Sequence, residues 1–338
     1  MSPERRAEKT VLTDSFGRKL NYVRISVTDR CNCRCRYCMP ESGVEWIPHD
    51  QILTFEDIFF LLRALRDLGI GKVRFTGGEP FVRRGMVSFL SGVRASFPEL
   101  RAAVTTNGSM LSAHARELVR MGLSSINVSL DTLDPEKFAA MTRGASLMPV
   151  LEGIDALLDA GALSADMSVK INAVLIRGFN DEDAGRLIDF AGERGILLRF
   201  IEFMPLDRSI WTGDSFVSFR EVLDSLPGVS EWRPEVSRPA DFAGPARYYV
   251  NGVTGQRIGV ISAVSQHFCA SCNRLRVTST GDVRVCLFSN EQISIFESLR
   301  ARDETALRER LFEAALLKPE AGMILNRNEE RRMSMIGG

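Results

Sequence analysis

Seven cysteines lie in two groups, and their spacing is the feature of this sequence most able to support chemistry. The first group lies in the segment TDRCNCRCRYCMP, where Cys31, Cys35 and Cys38 form a Cys-x3-Cys-x2-Cys pattern. A [4Fe–4S] cluster normally takes four cysteine ligands, so three thiolates leave one iron open to an outside ligand. The spacing therefore predicts a cluster that can bind a further molecule through its open iron.

Other uses of the first cysteine group fit the spacing poorly. Structural zinc sites usually pair two knuckles from separate segments, and four cysteines within eight residues would be cramped around one ion. Disulfides are not expected in a chain of this size with an odd cysteine count and no secretory segment. Cys33 is left over. We interpret it as a bystander thiol that competes as a ligand only where Cys35 is lost.

The second cysteine group again offers three ligands. Cys269 and Cys272 form a Cys-x2-Cys pair, and Cys286 follows fourteen residues later. A zinc knuckle would need a fourth ligand, for which His267 is the nearby candidate. The ligand count favours a second [4Fe–4S] cluster with an open iron over zinc.

The composition limits the kind of protein and its partners. The chain has 338 residues, of which 45% are hydrophobic, enough for one large core or two. Lys plus Arg and Asp plus Glu number 43 each, so no net field favours nucleic acid. The sequence has no apolar run of membrane-spanning length, and its start, MSPERRAEKT, is charged. We therefore expect a cytoplasmic protein with no membrane or nucleic-acid partner.

Residues 20 to about 205 alternate between strand and helix patterns. The predicted strands are Leu20–Val27, Lys72–Thr76, Ala102–Thr106, Ser125–Leu130, Met167–Leu175 and Ile196–Phe203. The predicted helices include one capped by Thr54 that stops at Gly69, and Leu111–Met121, Asp134–Met141, Met148–Ala160 and Asp181–Arg194. Six units of this kind imply a parallel α/β sheet curled into a partial (β/α)6-type barrel, with the active site at the C-terminal strand ends.

Proline-rich sequence then marks a connection, within which Ser218–Leu226 is predicted as a short helix. We divide the chain into an N-terminal extension (1–19), the partial barrel (20–206), a connecting segment (207–245) and a C-terminal α+β extension (246–338). The extension carries the second cysteine group.

Charged residues on the predicted strands indicate the ligand. Side chains two apart share a face, which pairs Lys72 with Arg74 and Lys170 with Asn172. Interior strands of a parallel sheet are usually apolar, and unpaired cations there are costly. The pattern predicts an anionic ligand in the lumen, the alternative being strand-end residues open to water.

The turn from Gly77 to Pro80 (GGEP) is predicted to bring backbone close to a ligand and to leave amide donors free.

The motifs together resemble the GTP 3′,8-cyclase family of radical S-adenosylmethionine (SAM) enzymes. They are TDRCN-x-RC-x-YCMP, TGGEP, TTNG, SLD, RFIEFMP, FC-x2-CNRLR-x-T, CLF and a terminal GG, in this order from about Leu20 to Gly338. The resemblance implies two [4Fe–4S] clusters, SAM as cofactor and GTP as substrate. The reaction it implies is formation of (8S)-3′,8-cyclo-7,8-dihydroguanosine 5′-triphosphate, the first step of molybdenum cofactor biosynthesis.

The resemblance also implies roles for particular residues. The cluster ligands would be Cys31, Cys35 and Cys38 for the first cluster, and Cys269, Cys272 and Cys286 for the second. Contacts to SAM would come from Tyr37, Gly78, Ser129 and Met204. Contacts to GTP would come from Arg24, Lys72, Arg74, Thr105, Lys170, Arg199, Arg274, Leu275 and Arg276. Direct parts in catalysis would fall to Arg24, Gly337 and Gly338.

The partners implied are a flavodoxin- or ferredoxin-type reductant and, downstream, cyclic pyranopterin monophosphate synthase; a homodimer is a further expectation.

Two alternatives for the function stay open at the level of sequence. One is a radical SAM peptide-modifying or dehydrogenase enzyme with an auxiliary cluster. The other is a non-catalytic iron–sulfur binding protein.

Overall fold

Six parallel strands form the centre of the fold in the computed structural model, which describes residues 11–206, 211–235 and 244–322. They are β1 (Tyr22–Ser26), β2 (Lys72–Thr76), β3 (Arg101–Thr106), β4 (Ser125–Ser129), β5 (Ser168–Leu175) and β6 (Leu197–Glu202). They lie side by side in chain order, each parallel to the next. This confirms the predicted α/β sheet of repeated strand–helix units.

Helices connect these strands close to the predicted positions. They are α1 (Phe55–Asp67), α2 (Met86–Ser96), α3 (Ala115–Arg120), α4 (Pro135–Thr142), α5 (Met148–Asp159) and α6 (Ala184–Glu193). Helix α1 begins with a capping box, because the Thr54 hydroxyl accepts from Asp57 N and the Asp57 carboxylate accepts from Thr54 N. Helix α6 starts later than predicted, since residues 181–183 form a 3₁₀ turn.

The C-terminal third extends the same sheet at both edges. Its strands are β7 (Trp232–Pro234), β8 (Arg247–Asn251), β9 (Arg257–Ile261), β10 (Arg274–Val277), β11 (Asp282–Arg284) and β12 (Gln292–Ser294). Strand β9 pairs parallel with β6, and β10 pairs parallel with β1. Its helices are α7 (Phe219–Asp224), α8 (Phe296–Arg300) and α9 (Glu304–Leu316). The second cysteine group is thereby placed next to β1.

The two faces of the central strands differ in what they bury. Along β5, Val169 and Ile171 are buried in the apolar core, whereas Lys170 and Asn172 between them are half-buried. The alternation follows from the two-residue period of a strand and confirms the predicted pairing of polar side chains on one face. Within the described ranges, no helix is both long and apolar enough to span a bilayer.

Candidate active site

One cavity of about 1220 Å³ lies on the polar face of the sheet, and both cysteine groups line it. The predicted site residues that line it are Arg24, Cys31, Cys35, Tyr37, Cys38, Lys72, Arg74, Gly78, Thr105, Ser129, Lys170, Arg199, Met204, Cys269, Cys272, Arg274, Arg276 and Cys286. Leu275 does not line it. Its side chain is buried in the apolar core because it alternates with Arg274 and Arg276 along β10, so its predicted substrate contact is not made by the side chain. Gly337 and Gly338 lie outside the described residues.

The first cysteine loop directs a compact set of thiols toward the cavity. The Cys38 and Met39 amides donate to the Cys35 carbonyl at 2.9 and 3.0 Å, closing a turn. Burial raises the pKa of Cys35 well above its usual range, and the nearby charges of Cys38 and Cys31 add to that shift. Thiols this close and buried would be stabilised as thiolates by iron, which fits a shared cluster. Cys33 is buried and accepts from Asn107 Nδ2 at 3.4 Å.

The GGEP turn supports the cysteine loop rather than offering free donors. A Cβ on Gly77 would lie 2.3 Å from the Thr28 carbonyl oxygen, and one on Gly78 would lie 2.2 Å from that of Arg30. The Gly78 amide donates to Thr28 O at 2.9 Å, and the next amide donates to Arg30 O at 2.8 Å. The prediction of a free amide was therefore wrong for Gly78, because the glycines let two backbones pair at close range.

Glu79, the acidic residue of that turn, joins it to the loop after β3. Its carboxylate accepts from Thr106 Oγ1 at 2.8 Å, from Asn107 N at 2.7 Å and from Phe81 N at 3.1 Å. Burial raises its pKa to about 7 against the lowering effect of these hydrogen bonds. Sequence reasoning missed this role, since Thr106 and Asn107 are 27 and 28 residues away along the chain and only the Phe81 amide is local.

Tyr37, a half-buried residue of the cysteine loop, forms a hydrogen-bonded pair with the buried Asp131. The Tyr37 hydroxyl donates to Asp131 Oδ2 at 2.9 Å, and Val174 N donates to Oδ1 at 2.8 Å. Burial raises the pKa of Asp131 to about 6, although both hydrogen bonds lower it. The pair fixes the Tyr37 ring between the cysteine loop and the end of β4.

Seven cations, which we call the cationic wall, project into the cavity from five strands. They are Arg24 from β1, Lys72 and Arg74 from β2, Lys170 from β5, Arg199 from β6, and Arg274 and Arg276 from β10. Burial, together with repulsion from Arg199, Arg74 and Lys72, lowers the pKa of Lys170 to about 7. Burial likewise lowers the pKa of Lys72 to about 8, with Arg74 and Arg199 adding to the shift.

Four of the seven residues of the wall have no carboxylate partner within the described part of the chain. Among the described residues, Arg24, Arg74, Lys170 and Arg199 form no salt bridge, and the buried Arg24 Nε has no hydrogen-bond partner. Arg74 instead donates to Tyr22, Val104, Thr105 and Ser125. Buried cations without counter-charges require an anion, so the cavity is suited to a polyanionic ligand.

The second cysteine group meets the wall where β10 begins. A Cβ on Gly322 would lie 3.1 Å from Cys286 Sγ and 3.7 Å from Cys269 Sγ, so these two sulfurs approach one point. Although burial would raise the pKa of Cys272, the charges of Arg274 and Lys318 lower it to about 6. A thiolate is the form that binds iron. Within the described part of the chain, no three His, Cys, Asp or Glu side chains have the spacing to hold a single metal ion.

Arg18 fixes this group from the start of the chain, a role that sequence reasoning missed. Its guanidinium donates to the carbonyls of Cys269 at 2.7 Å, Pro319 at 2.6 Å and Glu320 at 2.9 Å. The Gly322 amide, two residues beyond, donates to Cys269 Sγ at 3.2 Å. Because Arg18 and Cys269 are 251 residues apart, only the folded chain reveals the contact.

Comparison with known proteins identifies the family. The Radical SAM superfamily matches residues 25–191, and Molybdenum Cofactor Synthesis C matches residues 196–324. A GTP 3′,8-cyclase of Geobacter sulfurreducens is 44% identical over 334 residues, covering 97% of this chain and 99% of the relative. The chain belongs to the GTP 3′,8-cyclase family. Another GTP 3′,8-cyclase, from Alkaliphilus oremlandii, is 40% identical over an alignment that covers 97% of this chain and 100% of the relative.

A solved structure supports the fold independently. Streptococcus suis SuiB bound to S-adenosylmethionine aligns with a TM-score of 0.58 at 15% identity, covering 83% of this chain and 63% of SuiB. Membership of the GTP 3′,8-cyclase family makes this chain a radical SAM enzyme, whose cofactors include a [4Fe–4S] cluster and SAM. The resemblance drawn from the motifs is confirmed. The peptide-modifying, dehydrogenase and non-catalytic alternatives are not supported.

We expect Gly78→Ala to destabilise the first cysteine loop. Its Cβ would overlap the Arg30 carbonyl, and overpacking of this kind costs about 1–3 kcal/mol of unfolding free energy. The measurement is urea unfolding together with iron content after anaerobic reconstitution. Gly213→Ala is the matched control, because nothing lies within 4 Å of its Cβ position. Equal stability and iron content in the two variants would contradict the packing role.

Proposed function

We propose that this chain cyclises GTP to (8S)-3′,8-cyclo-7,8-dihydroguanosine 5′-triphosphate, as the first step of molybdenum cofactor biosynthesis. The observation that carries the proposal is a single cavity bounded by two three-cysteine groups with the cationic wall between them. The names of its full-length relatives point to the same reaction. A nucleoside triphosphate matches this arrangement, since it carries a polyanionic end and a base with metal-binding nitrogens.

The first cysteine group is suited to hold the SAM cluster. Cys31, Cys35 and Cys38 supply three thiols at the cavity, which would bind iron as thiolates, and a three-ligand cluster keeps one iron open. When bound and reduced, such a cluster would supply the electron that breaks the C5′–S bond of SAM, giving methionine and a 5′-deoxyadenosyl radical. We propose that Tyr37, Gly78, Ser129 and Met204 surround the SAM molecule, since each of them lines the same cavity.

The cationic wall is suited to bind the triphosphate. Arginine gives planar, bidentate contacts to phosphate oxygens, and lysine gives a point charge. Arg199 is oriented by Asn172, whose Oδ1 accepts from its Nε at 3.0 Å and from its Nη2 at 2.7 Å. Arg24 has a buried Nε that lacks a hydrogen-bond partner, and a phosphate oxygen would satisfy that donor. We propose that these contacts fix the ribose for attack at C3′.

We further propose that the second cysteine group holds another [4Fe–4S] cluster whose open iron binds the guanine. The thiolate character of Cys272 and the convergence of Cys269 and Cys286 support it. A single zinc ion held with the help of His267 is less well supported, because among the described residues no three His, Cys, Asp or Glu side chains are spaced to hold one ion. Holding the base and the phosphates at opposite ends would leave C3′ and C8 facing each other.

The remaining parts of the proposal concern partners and the chain end. We propose a flavodoxin- or ferredoxin-type electron donor, cyclic pyranopterin monophosphate synthase as the next enzyme, a homodimer and a cytoplasmic location. The catalytic roles of Gly337 and Gly338 rest on family resemblance and stay predictions. They require the tail to reach the cavity from Gly322, which contacts the second cysteine group.

We expect Lys170→Met to weaken GTP binding while leaving SAM binding nearly unchanged. A charge-assisted hydrogen bond is worth about 1.5–3 kcal/mol. That energy corresponds to a rise in the Kd for GTP of roughly 10- to 150-fold. Anaerobic calorimetry with each ligand measures both constants, and Lys19→Met, at an exposed lysine, is the control. An unchanged Kd for GTP, or an equal loss for SAM, would contradict the assignment of Lys170.

The substrate itself is tested by anaerobic turnover of the reconstituted enzyme with SAM and a reductant. We expect GTP to yield a cyclised triphosphate together with 5′-deoxyadenosine, and ATP to yield no cyclised product. Formation of 5′-deoxyadenosine that is not coupled to any change in GTP would contradict the proposal.

A further inference from the structure

Tyr22 is a buried acid at the centre of the cationic wall. It lies on β1, where the strand register places it beside Lys72 of β2 and Arg274 of β10. The side chain is 5% exposed and lines the cavity. Tyr22 was not among the predicted site residues, because a tyrosine in a strand is ordinarily a packing residue.

Its contacts are made with cations. The phenolic oxygen accepts a hydrogen bond from Arg74 Nε at 2.9 Å, and Lys72 Nζ lies 4.7 Å from the centroid of the ring. Further charges reach it from its own strand and from other strands that contribute to the wall. They are Arg24 from β1, Lys170 from β5, Arg199 from β6 and Arg276 from β10.

Carboxylates that could balance these charges are engaged elsewhere. Among the described residues lining the cavity, Asp131 accepts from Tyr37, and Glu235 accepts from Arg257 at 2.7 Å. The Tyr22 oxygen, which accepts a hydrogen bond from Arg74, is placed where a negative charge would offset repulsion among the cations. A phenolate would supply that charge without drawing on either of these two carboxylates.

We propose that Tyr22 is the internal counter-charge of the cationic wall: it is ionised in the free enzyme and takes up a proton when the phosphate chain of the substrate binds. The inference rests on the proposed function for the identity of the polyanion. Burial alone would raise the pKa of Tyr22, but the charges of Arg74, Arg24 and Lys72 lower it to about 7. A bound triphosphate adds negative charge beside the phenol, which reverses the shift. The proton comes from solvent, so binding weakens as the pH rises above that value.

The test follows tyrosinate by its near-ultraviolet absorption in the anaerobic, cluster-loaded protein. The chain has four tyrosines, and the spectrum of Tyr22→Phe subtracted from that of the unaltered protein isolates one of them. We expect a group ionising near pH 7, giving about one tyrosinate per chain near pH 8.5. Inorganic triphosphate, which is transparent in this range, should abolish most of the signal at about pH 8. Tyr249→Phe is the control and should keep the signal, because burial raises the pKa of Tyr249.

Each outcome is decisive. Absence of a tyrosine ionising below about pH 9 would overturn the proposal, as would a tyrosinate that triphosphate leaves unchanged. If triphosphate suppresses the signal while GTP does not bind, the role of Tyr22 stands and the proposed substrate fails. If Tyr22→Phe does not fold, the tyrosinate absorption of the unaltered protein is compared with and without triphosphate. Loss of that absorption supports the proposal, and unchanged absorption overturns it.

Discussion

Cys272→Ala is expected to separate SAM cleavage from GTP cyclisation. The substitution removes a ligand of the second group and leaves the first group untouched, since the first group follows the C-terminal end of β1 and Cys272 precedes the start of the parallel strand β10. The reduced variant should therefore still form 5′-deoxyadenosine. Cyclised product should fall by at least about a hundredfold, because the guanine loses its attachment and the ribose its alignment with the radical.

The separation requires both products to be measured in the same anaerobic reaction with dithionite. Ser271→Ala, at the exposed neighbouring position, is the matched control and should keep both activities. A soluble Cys272→Ala variant that retains the first cluster but cleaves no SAM would contradict this division of labour. So would one that cyclises GTP normally.

Cys35→Ser is expected to abolish both reactions, whereas Cys33→Ser should preserve them. Cys35 lies in the turn closed by the Cys38 and Met39 amides and faces the other two predicted ligands. Loss of one of three ligands should remove about four irons per chain and all reductive cleavage of SAM. Cys33 is buried against Asn107 and is not needed to complete the set.

The measurement is iron content and 5′-deoxyadenosine formation for the two variants side by side. The pair is closely matched, since the positions are two residues apart and the change is the same. An active Cys35→Ser variant, or an inactive Cys33→Ser variant with an unchanged fold, would show that the ligand set has been assigned wrongly.

Local patterns were sufficient to predict the central sheet. Strand β2 has the predicted bounds, Lys72–Thr76, because its alternation of charged and apolar residues is clear. The same two-residue period placed Lys72 with Arg74 and Lys170 with Asn172 on the cavity face. It also places Leu275 in the core. The prediction that Leu275 contacts the substrate treated residues 274–276 as one segment and ignored this alternation.

What the sequence could not predict depends on contacts between distant segments. The glycines of the GGEP turn pack against the cysteine loop, about fifty residues earlier in the chain, and the Gly78 and Glu79 amides donate to carbonyls there. Arg18 holds the carbonyls of Cys269 and Glu320, and no periodicity relates those positions. The addition of β9 and β10 to opposite edges of one sheet is likewise a property of the topology. Tyr22 becomes chemically distinctive only once the fold brings cations of its own strand and of four other strands near it.

The most direct test of the central claim is turnover with GTP carrying deuterium at ribose C3′. If the cavity holds SAM at the first cysteine group and GTP on the cationic wall, the 5′-deoxyadenosyl radical meets C3′. Mass spectrometry of the 5′-deoxyadenosine should then show deuterium incorporated in step with the cyclised product. Unlabelled 5′-deoxyadenosine accompanying cyclised GTP would contradict the account.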